Sequence, residues 1–439
     1  SSMLCRVKAS APAVNRVLGR AAATSGEVFN KYPRQVKFAE CMEEELHHID
    51  NEGMTRREHK YYNAHHGRVS HKGEGELLNF TSNDYLCLNR NPEVVKAAQH
   101  ALDTHGAGLS SVRFICGTQD IHKALEKNLA DFHHQDDCVL YPSGYNANVG
   151  LFEAILTSND AVICDDGNHP SIIDGTRFTK AKVYKYKHLD MQDLSEVLEV
   201  AKSDGADLKL VVTQGAFPNT SDIAPLKEIG QVCHEGHAML AVDDSHGVGI
   251  LGAHGKGTPE FHGVLDKVHI INATFSNALG GGGGGYTVGM KEVIELIRQR
   301  ARPYLFSNTL CPAAVQTAAK ALELIVKSHV DLRVVFENAK LFRTQMRHAG
   351  FDVRGENLPN CPVFVGDHRI AKEIADEMHD NGILVQPLYY PYVPNDRAYL
   401  RVNMNAGHSV EDIQRCVETF IEVCRPHNLL NHNKIRHTH

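Results

Sequence analysis

No run of apolar residues in this 439-residue chain approaches the roughly 18–20 that span a bilayer, so no membrane-spanning helix is expected. Nor is there a surplus of basic charge. The net charge is −7, whereas general nucleic-acid binding needs a basic surface. The 11 cysteines are odd in number, run from Cys5 to Cys424 and never fall into a CxxC spacing. That argues against a disulfide framework or a zinc site and for a reducing compartment. The 28 histidines are many, but the doublets in HHID, AHHG and FHHQ read as surface pairs without a second ligand cluster, so no metal is expected. No internal repeat is found. The one low-complexity stretch is a run of six glycines, Gly280–Gly285.

What the chain does have is the make-up of an ordinary globular protein, 42% hydrophobic and 23% charged, with length enough for two or three domains. Its first segment differs from the rest. It carries Arg6, Lys8, Arg16 and Arg20, is rich in Ala and Ser, and has no acidic residue before Glu27. Two readings fit: a mitochondrial transit peptide, or a basic helical extension kept by a cytoplasmic protein.

From about residue 76, short apolar runs alternate with amphipathic stretches. CVLY, AVICDD, KLVVTQGAF, AMLAVDDSHG and VHIINATF each read as a strand ending in a polar or glycine-rich turn. Continuous apolar strands suit a mostly parallel sheet covered by helices on both faces, whose ligands sit beyond the carboxyl ends of the strands. Later segments alternate helices such as IAKEIADEMHDNG and EDIQRCVETFIEVC with strands such as CPVFVGD and YLRVNMN, as in a smaller α+β domain. The expected division is a basic extension over 1–35, a helical segment over 36–75, a large α/β domain over 76–320 and a small domain over 321–439.

The strand-end residues are the candidates for chemistry. VDDSHG places Asp243 and His246 after one strand, and DDGNHPSIIDG places His169 after another. YPSGYNANVG sets Ser143, Gly144 and Tyr145 at a strand-to-helix turn whose amides suit a phosphate. NFTSNDYLCL offers Asn83 and YLRVNMN offers Arg401. Taken singly, a strand-end Asp or His is more often a helix cap or turn residue.

Taken together they resemble the α-oxoamine synthases, pyridoxal-phosphate (PLP) enzymes that condense an amino acid with an acyl-CoA. The stretches GAGLSSVRFICGTQDIHKALE, NHPSIIDG, HLDMQDL and RQRARPYLFSNTL carry the likeness, which runs from about Phe38 to Cys424 and points to the glycine C-acetyltransferase branch. The resemblance implies an α/β fold of the PLP-dependent type I class and a homodimer. It also implies roles. Asp243 would pair with the pyridinium nitrogen, His169 would stack on the ring, and His246 would approach the phenolic oxygen or the substrate. Ser143, Gly144, Tyr145 and Thr274 would hold the phosphate, and Ser307 would reach the phosphate in the neighbouring subunit. Arg401 would grip a substrate carboxylate, with Asn83 close by.

The resemblance also exposes departures. Where the family reads Thr-Leu-Gly-Lys-Ala-Leu-Gly-Gly, this chain reads TFSNALGG, so the lysine that binds the cofactor covalently is Asn277. An amide nitrogen is no nucleophile toward an aldehyde and no base for an α-proton. The serine expected at the phenolic oxygen is Pro218, without a side-chain donor, and the following loop is a floppy run of glycine. Three clustered changes suggest relaxed constraint. The expectation is a pseudoenzyme, with PLP either held non-covalently or absent, acting as a homodimer or beside a lysine-bearing paralogue. The alternative is an active acyltransferase with non-covalently held PLP; a substituted form of a working enzyme is disfavoured by Pro218 and the glycine run.

Overall fold

The computed structural model describes residues 33–56, 58–65, 67–71, 75–390, 392–393, 396–427 and 429. The basic segment before residue 33 lies outside them. An amino-terminal unit ends at His59 and contains the helix Pro33–Asn51. Residues 61–71 were expected to be helical but form a strand pair, Tyr61–His65 with Arg68–His71. Gly67, at φ +73°, lies between these strands.

The second unit, from Lys60 onward, is built on a seven-stranded sheet. Its strands are β1 (Asp137–Tyr141), β2 (Ala161–Asp165), β3 (Lys182–Tyr186), β4 (Lys209–Gln214), β5 (Met239–Asp243), β6 (Ile270–Thr274) and β7 (Gly285–Gly289). The spatial order is β1-β7-β6-β5-β4-β2-β3. Every residue of β2 and β4 is buried, and their apolar centres, Val162–Cys164 and Leu210–Val212, suit strands covered on both faces. Val139, Leu151, Phe152, Val162, Ile172 and Ile270 belong to one core cluster beside the sheet. Each such side chain, fully buried, contributes about 1.5–3 kcal/mol to stability.

Strand direction sets where the site lies. β2, β4, β5 and β6 are parallel, so Gln214, Asp243 and Asn272 come into register near their carboxyl ends. β7 runs antiparallel to both neighbours, so its first residue, Gly285, pairs with the last residues Thr274 and Tyr141 of β6 and β1. The two strands the sequence reading did not pick out, β3 and β7, have reasons to be missed. β3 is an edge strand with mostly exposed side chains, and β7 begins in the glycine run.

A three-stranded antiparallel sheet follows, of β8 (Asn360–Gly366), β9 (Gln386–Leu388) and β10 (Ala398–Asn403), with β10 in the centre. Register places Arg401 of β10 opposite Gln386 and Pro362.

Candidate active site

Beyond β1 the chain turns into the helix Gly144–Ile155. Ser143 is its N-cap, accepting the Asn146 N–H at 3.1 Å. The N–H groups of Gly144 and Tyr145 lie in the first turn, where no intrahelical acceptor exists and the helix dipole favours an anion. The Tyr145 side chain points elsewhere, donating its hydroxyl to Asp174 at 2.8 Å. Across the turn, Thr274 Oγ1 donates to Gly284 O at 3.0 Å and accepts from Ser276 N at 3.1 Å.

The glycine run is not the loose loop its composition suggested. Gly284 adopts φ +101°, and a Cβ there would lie 2.9 Å from Leu310 and Phe275. At Gly285 a Cβ would stand 2.4 Å from Gly144 N. The end of the run packs against the turn at Gly144, and at Gly284 and Gly285 a side chain has no room. At those two positions glycine answers to local geometry.

The buried polar core beside this turn is continuous. Asn148, on the same helix, donates Nδ2 to Asp243 Oδ2 at 2.7 Å and to Ser171 Oγ at 2.9 Å. Ser171 lies 2.7 Å from His169 Nδ1, and its backbone N–H donates to the same nitrogen. Asp243 also accepts from Ser245 N at 3.0 Å. His169 is at the same time the N-cap of the helix Pro170–Phe178, so the plain structural reading of a strand-end histidine holds as well.

On the other side, His246 Nδ1 meets Tyr85 Oη at 2.8 Å. Burial, with the Arg401 guanidinium nearby, pushes the His246 imidazole down to about 3, so it is neutral at physiological pH. Arg401 donates to Gln386 Oε1 at 2.7 Å and Asn219 Oδ1 at 3.3 Å, while its Nε is buried without a partner. Burial pulls its pKa downward. Both of these partners are neutral amide oxygens, and a guanidinium pairs more strongly with a carboxylate. Asn83 Oδ1 accepts from Asn403 Nδ2, two residues along from Arg401, at 2.9 Å.

Asn277 is buried and donates Nδ2 to Ser245 O at 2.8 Å, so it faces the segment between Asp243 and His246. Pro218 begins the loop that brings Asn219 to Arg401. Ser307 follows the exposed Phe306 in a segment tied by Thr309 N–H to Ser111 O at 3.1 Å. Within one chain, then, Asn148 joins Asp243 to Ser171 and His169, Asn277 meets the segment between Asp243 and His246, and Arg401 and His169 both lie near enough to His246 to act on its charge. The Tyr145 side chain stays outward, and Ser307 is half-buried.

Sequence reasoning missed Asn148, Tyr85, Asn219 and Gln386. Asn148 left a trace: it is a lone asparagine on the buried face of the apolar helix ANVGLFEAI. One doublet was misread. His133 of FHHQ is buried, bonded to Tyr286 Oη at 2.9 Å, because it faces β7 from the helix Asp120–His133. Among the described residues no cluster of His, Cys, Asp or Glu could hold a metal, and no helix is long and apolar enough to cross a membrane.

A profile of the aminotransferase class I and II family matches residues 75–420. The chain belongs to that family. Within it, the α-oxoamine synthases are the relatives: mitochondrial 2-amino-3-ketobutyrate coenzyme A ligase of Bos taurus is 50% identical over 390 residues, covering 89% of this chain and 93% of its own. The Escherichia coli K12 protein of the same name is 42% identical over 388 residues, 88% of this chain and 97% of that one. Among solved structures, serine palmitoyltransferase from Sphingomonas wittichii superposes with a TM-score of 0.81 at 26% identity, over 92% of this chain and 99% of that one. A lysine-to-alanine variant of the S. paucimobilis enzyme, solved with a bound PLP–myriocin aldimine, gives 0.81 at 25% identity over 91% and 98%.

The family's cofactor is PLP, and the aminotransferase-family pocket described here fits it by its donor set. It has a carboxylate at Asp243, an imidazole at His169 and a glycine-lined turn of free amides at Gly144 and Tyr145. Asn277, expected from the sequence to stand at the attachment point, carries an amide and no amine.

Proposed function

We propose that this chain is a glycine C-acetyltransferase-like protein, related to 2-amino-3-ketobutyrate coenzyme A ligase, that has lost covalent PLP catalysis and works as a pseudoenzyme. The observation that carries the reading is Asn277: a buried amide, committed to Ser245 O at 2.8 Å, at the place of the family's lysine. Losing a positioned acid/base group costs about 10²–10⁴ in rate. Pro218 adds to the loss, having no hydroxyl to offer a phenolic oxygen.

The remaining residues support binding rather than turnover. The turn amides of Gly144 and Tyr145, with Ser143 and Thr274, would hold a phosphate. Asp243 would keep a pyridinium nitrogen protonated, and His169 would lie against the ring. PLP, when bound, supplies an electron sink for a carbanion. Arg401, with Asn83 nearby, would orient the carboxylate of an amino acid. His246, being neutral, would donate a hydrogen bond rather than carry charge. The solved relative with a lysine-to-alanine change and a PLP adduct supports the idea that such a pocket holds PLP without that lysine.

This intact pocket also favours a second reading, an active acyltransferase joining an amino acid such as glycine to an acyl-CoA with non-covalently held PLP. Titrating the purified protein with PLP, followed by assay with glycine and acetyl-CoA, separates the two. The pseudoenzyme binds PLP and forms no 2-amino-3-ketobutyrate above the blank. A family-like rate establishes the second reading instead.

A homodimer fits the exposed Phe306 beside Ser307 and the exposed Phe114 and Ile115 in the loop tied to it. Ser307 would then reach the partner's phosphate site, and a lysine-bearing paralogue would serve equally as partner. Mitochondrial relatives and the basic first segment support a mitochondrial location. The division into extension, helical segment, large domain over 76–320 and small domain over 321–439 is retained as part of this proposal, with the strand pair noted above.

A further inference from the structure

The hydrogen bonds leading to His246 can be oriented one after another, starting from a group that cannot donate. Thr81 O is a carbonyl oxygen, so Asn403 Nδ2 at 3.1 Å must be the donor. The same nitrogen gives its other hydrogen to Asn83 Oδ1 at 2.9 Å. Asn403 Oδ1 is left as an acceptor, and Asn360 Nδ2 donates to it at 2.8 Å. Asn360 then has one Nδ2 hydrogen remaining, and it reaches Tyr85 Oη at 3.1 Å. Tyr85 accepts there, so its single proton is directed to His246 Nδ1 at 2.8 Å. The competing contact, from Tyr85 to Asn360 Oδ1, is longer at 3.3 Å. Tyr85, Asn360 and Asn403 are each 0% exposed, so water does not substitute for any member of the relay.

We infer that Tyr85 is a positioning residue that holds His246 in the tautomer with its hydrogen on Nε2, making the ring a hydrogen-bond donor to an oxygen atom of the pocket's ligand. The ring is kept neutral by burial, so the tautomer decides what His246 offers. A neutral imidazole carries one hydrogen; with Nδ1 accepting from Tyr85, it lies on Nε2. The pocket would therefore prefer a ligand with an oxygen acceptor at that point over one with a hydroxyl that must donate. The identity of that ligand rests on the functional reading above; the tautomer does not.

The test is made on ligand-free, deuterated full-length protein with ¹⁵N-labelled histidine. His246→Gln identifies the His246 ring signals by their disappearance. In the wild type the ring nitrogens should report one pure tautomer, protonated at Nε2 and bare at Nδ1. In Tyr85→Phe, which removes a single oxygen, that purity should be lost, with a substantial share of the ring protonated at Nδ1. A wild-type ring protonated at Nδ1, or a Tyr85→Phe ring still wholly in the Nε2 form, overturns the inference. If Tyr85→Phe does not fold, a neutron density map of the wild type decides: deuterium on Nε2 supports it and deuterium on Nδ1 refutes it. Failure of the protein to bind PLP would count against the functional reading and leave these outcomes unchanged.

Discussion

Asn148 holds Asp243 and His169 together: one Nδ2 hydrogen goes to the Asp243 carboxylate at 2.7 Å, the other to the Ser171 hydroxyl that faces His169. The amide cannot turn over, because its oxygen already accepts from Asn272 Nδ2 at 2.8 Å. One side chain thus fixes both groups expected to contact the cofactor ring.

Asn148→Leu keeps the volume and removes the donors. It leaves the Asp243 oxygen and the Asn272 amide unpaired, at a cost of about 1–3 kcal/mol for each buried unsatisfied group. Non-covalent PLP affinity should fall by about tenfold or more, as expected for losing a hydrogen bond to a charged group. Denaturant melts and PLP fluorescence titration check the two effects. Unchanged PLP affinity would show that Asn148 is merely structural.

Gly284→Ala should destabilise the protein more than Gly283→Ala. Both positions have positive φ, +101° and +76°, but only at 284 would a Cβ meet neighbours, Leu310 and Phe275 at 2.9 Å. The expected losses are about 1 kcal/mol for the backbone conformation alone at 283, with about 1–3 kcal/mol more at 284 from overpacking. Thermal melts of the two variants decide. Equal and negligible losses would return the run to the loose loop its composition suggested.

That run shows where sequence legibility ended. The apolar strands and amphipathic helices were readable because burial on two faces or one leaves a periodic trace. So were Asp243, His169 and Gly144, because strand ends and first helical turns have fixed residue preferences. Composition could say that Gly280–Gly285 was flexible in isolation, but not that antiparallel β7 would press Gly285 against Gly144. Tyr85 and Gln386 were equally out of reach. Tyr85 lies far from His246 in sequence, and Gln386 meets Arg401 through the register of β9 on β10, which no local pattern encodes.

Stability should depend on pH with two limbs. Burial pushes His246 and His133 down to about 3 and His408 to about 4, from an ordinary 6.5. Each lowered histidine contributes its full stability above 6.5 and loses it as pH falls, because the unfolded chain takes the proton first. Asp84 and Asp244, raised by burial to about 6 and 7, act in the opposite sense over much of the same range, so the acid limb should be shallow. His188 belongs to the other limb. Burial opposes its charge, but the bond to Asp165 at 2.7 Å and the Asp222 carboxylate 3.5 Å away outweigh it and raise it to about 9. Its stabilisation is full below 6.5 and is lost as pH rises through 9. His188→Gln should therefore flatten denaturant stability between these limits, and it also removes a partner that holds Asp222 below the usual carboxylate range. A variant that keeps the wild-type alkaline slope would contradict this assignment.

Catalysis should be recoverable only in part. Asn277→Lys restores an amine where Asp243 and His169 remain to hold a ring, so some condensation of glycine with acetyl-CoA should appear. Pro218→Ser should do little alone and more in the lysine background, since both residues act on one ring and their effects couple. Rates of the wild type, both single variants and the double variant provide the check. If the double variant is as inactive as the wild type, lesions lie outside this pocket.

The central claim, that Asn277 leaves the pocket without covalent attachment, is tested most directly by mass. Wild type and Asn277→Lys are incubated with PLP, reduced with borohydride, digested and mapped. The account predicts no pyridoxyl group on any pocket peptide of the wild type, and one per chain at position 277 in the variant. A pyridoxyl group fixed to a pocket lysine of the wild-type protein would contradict it.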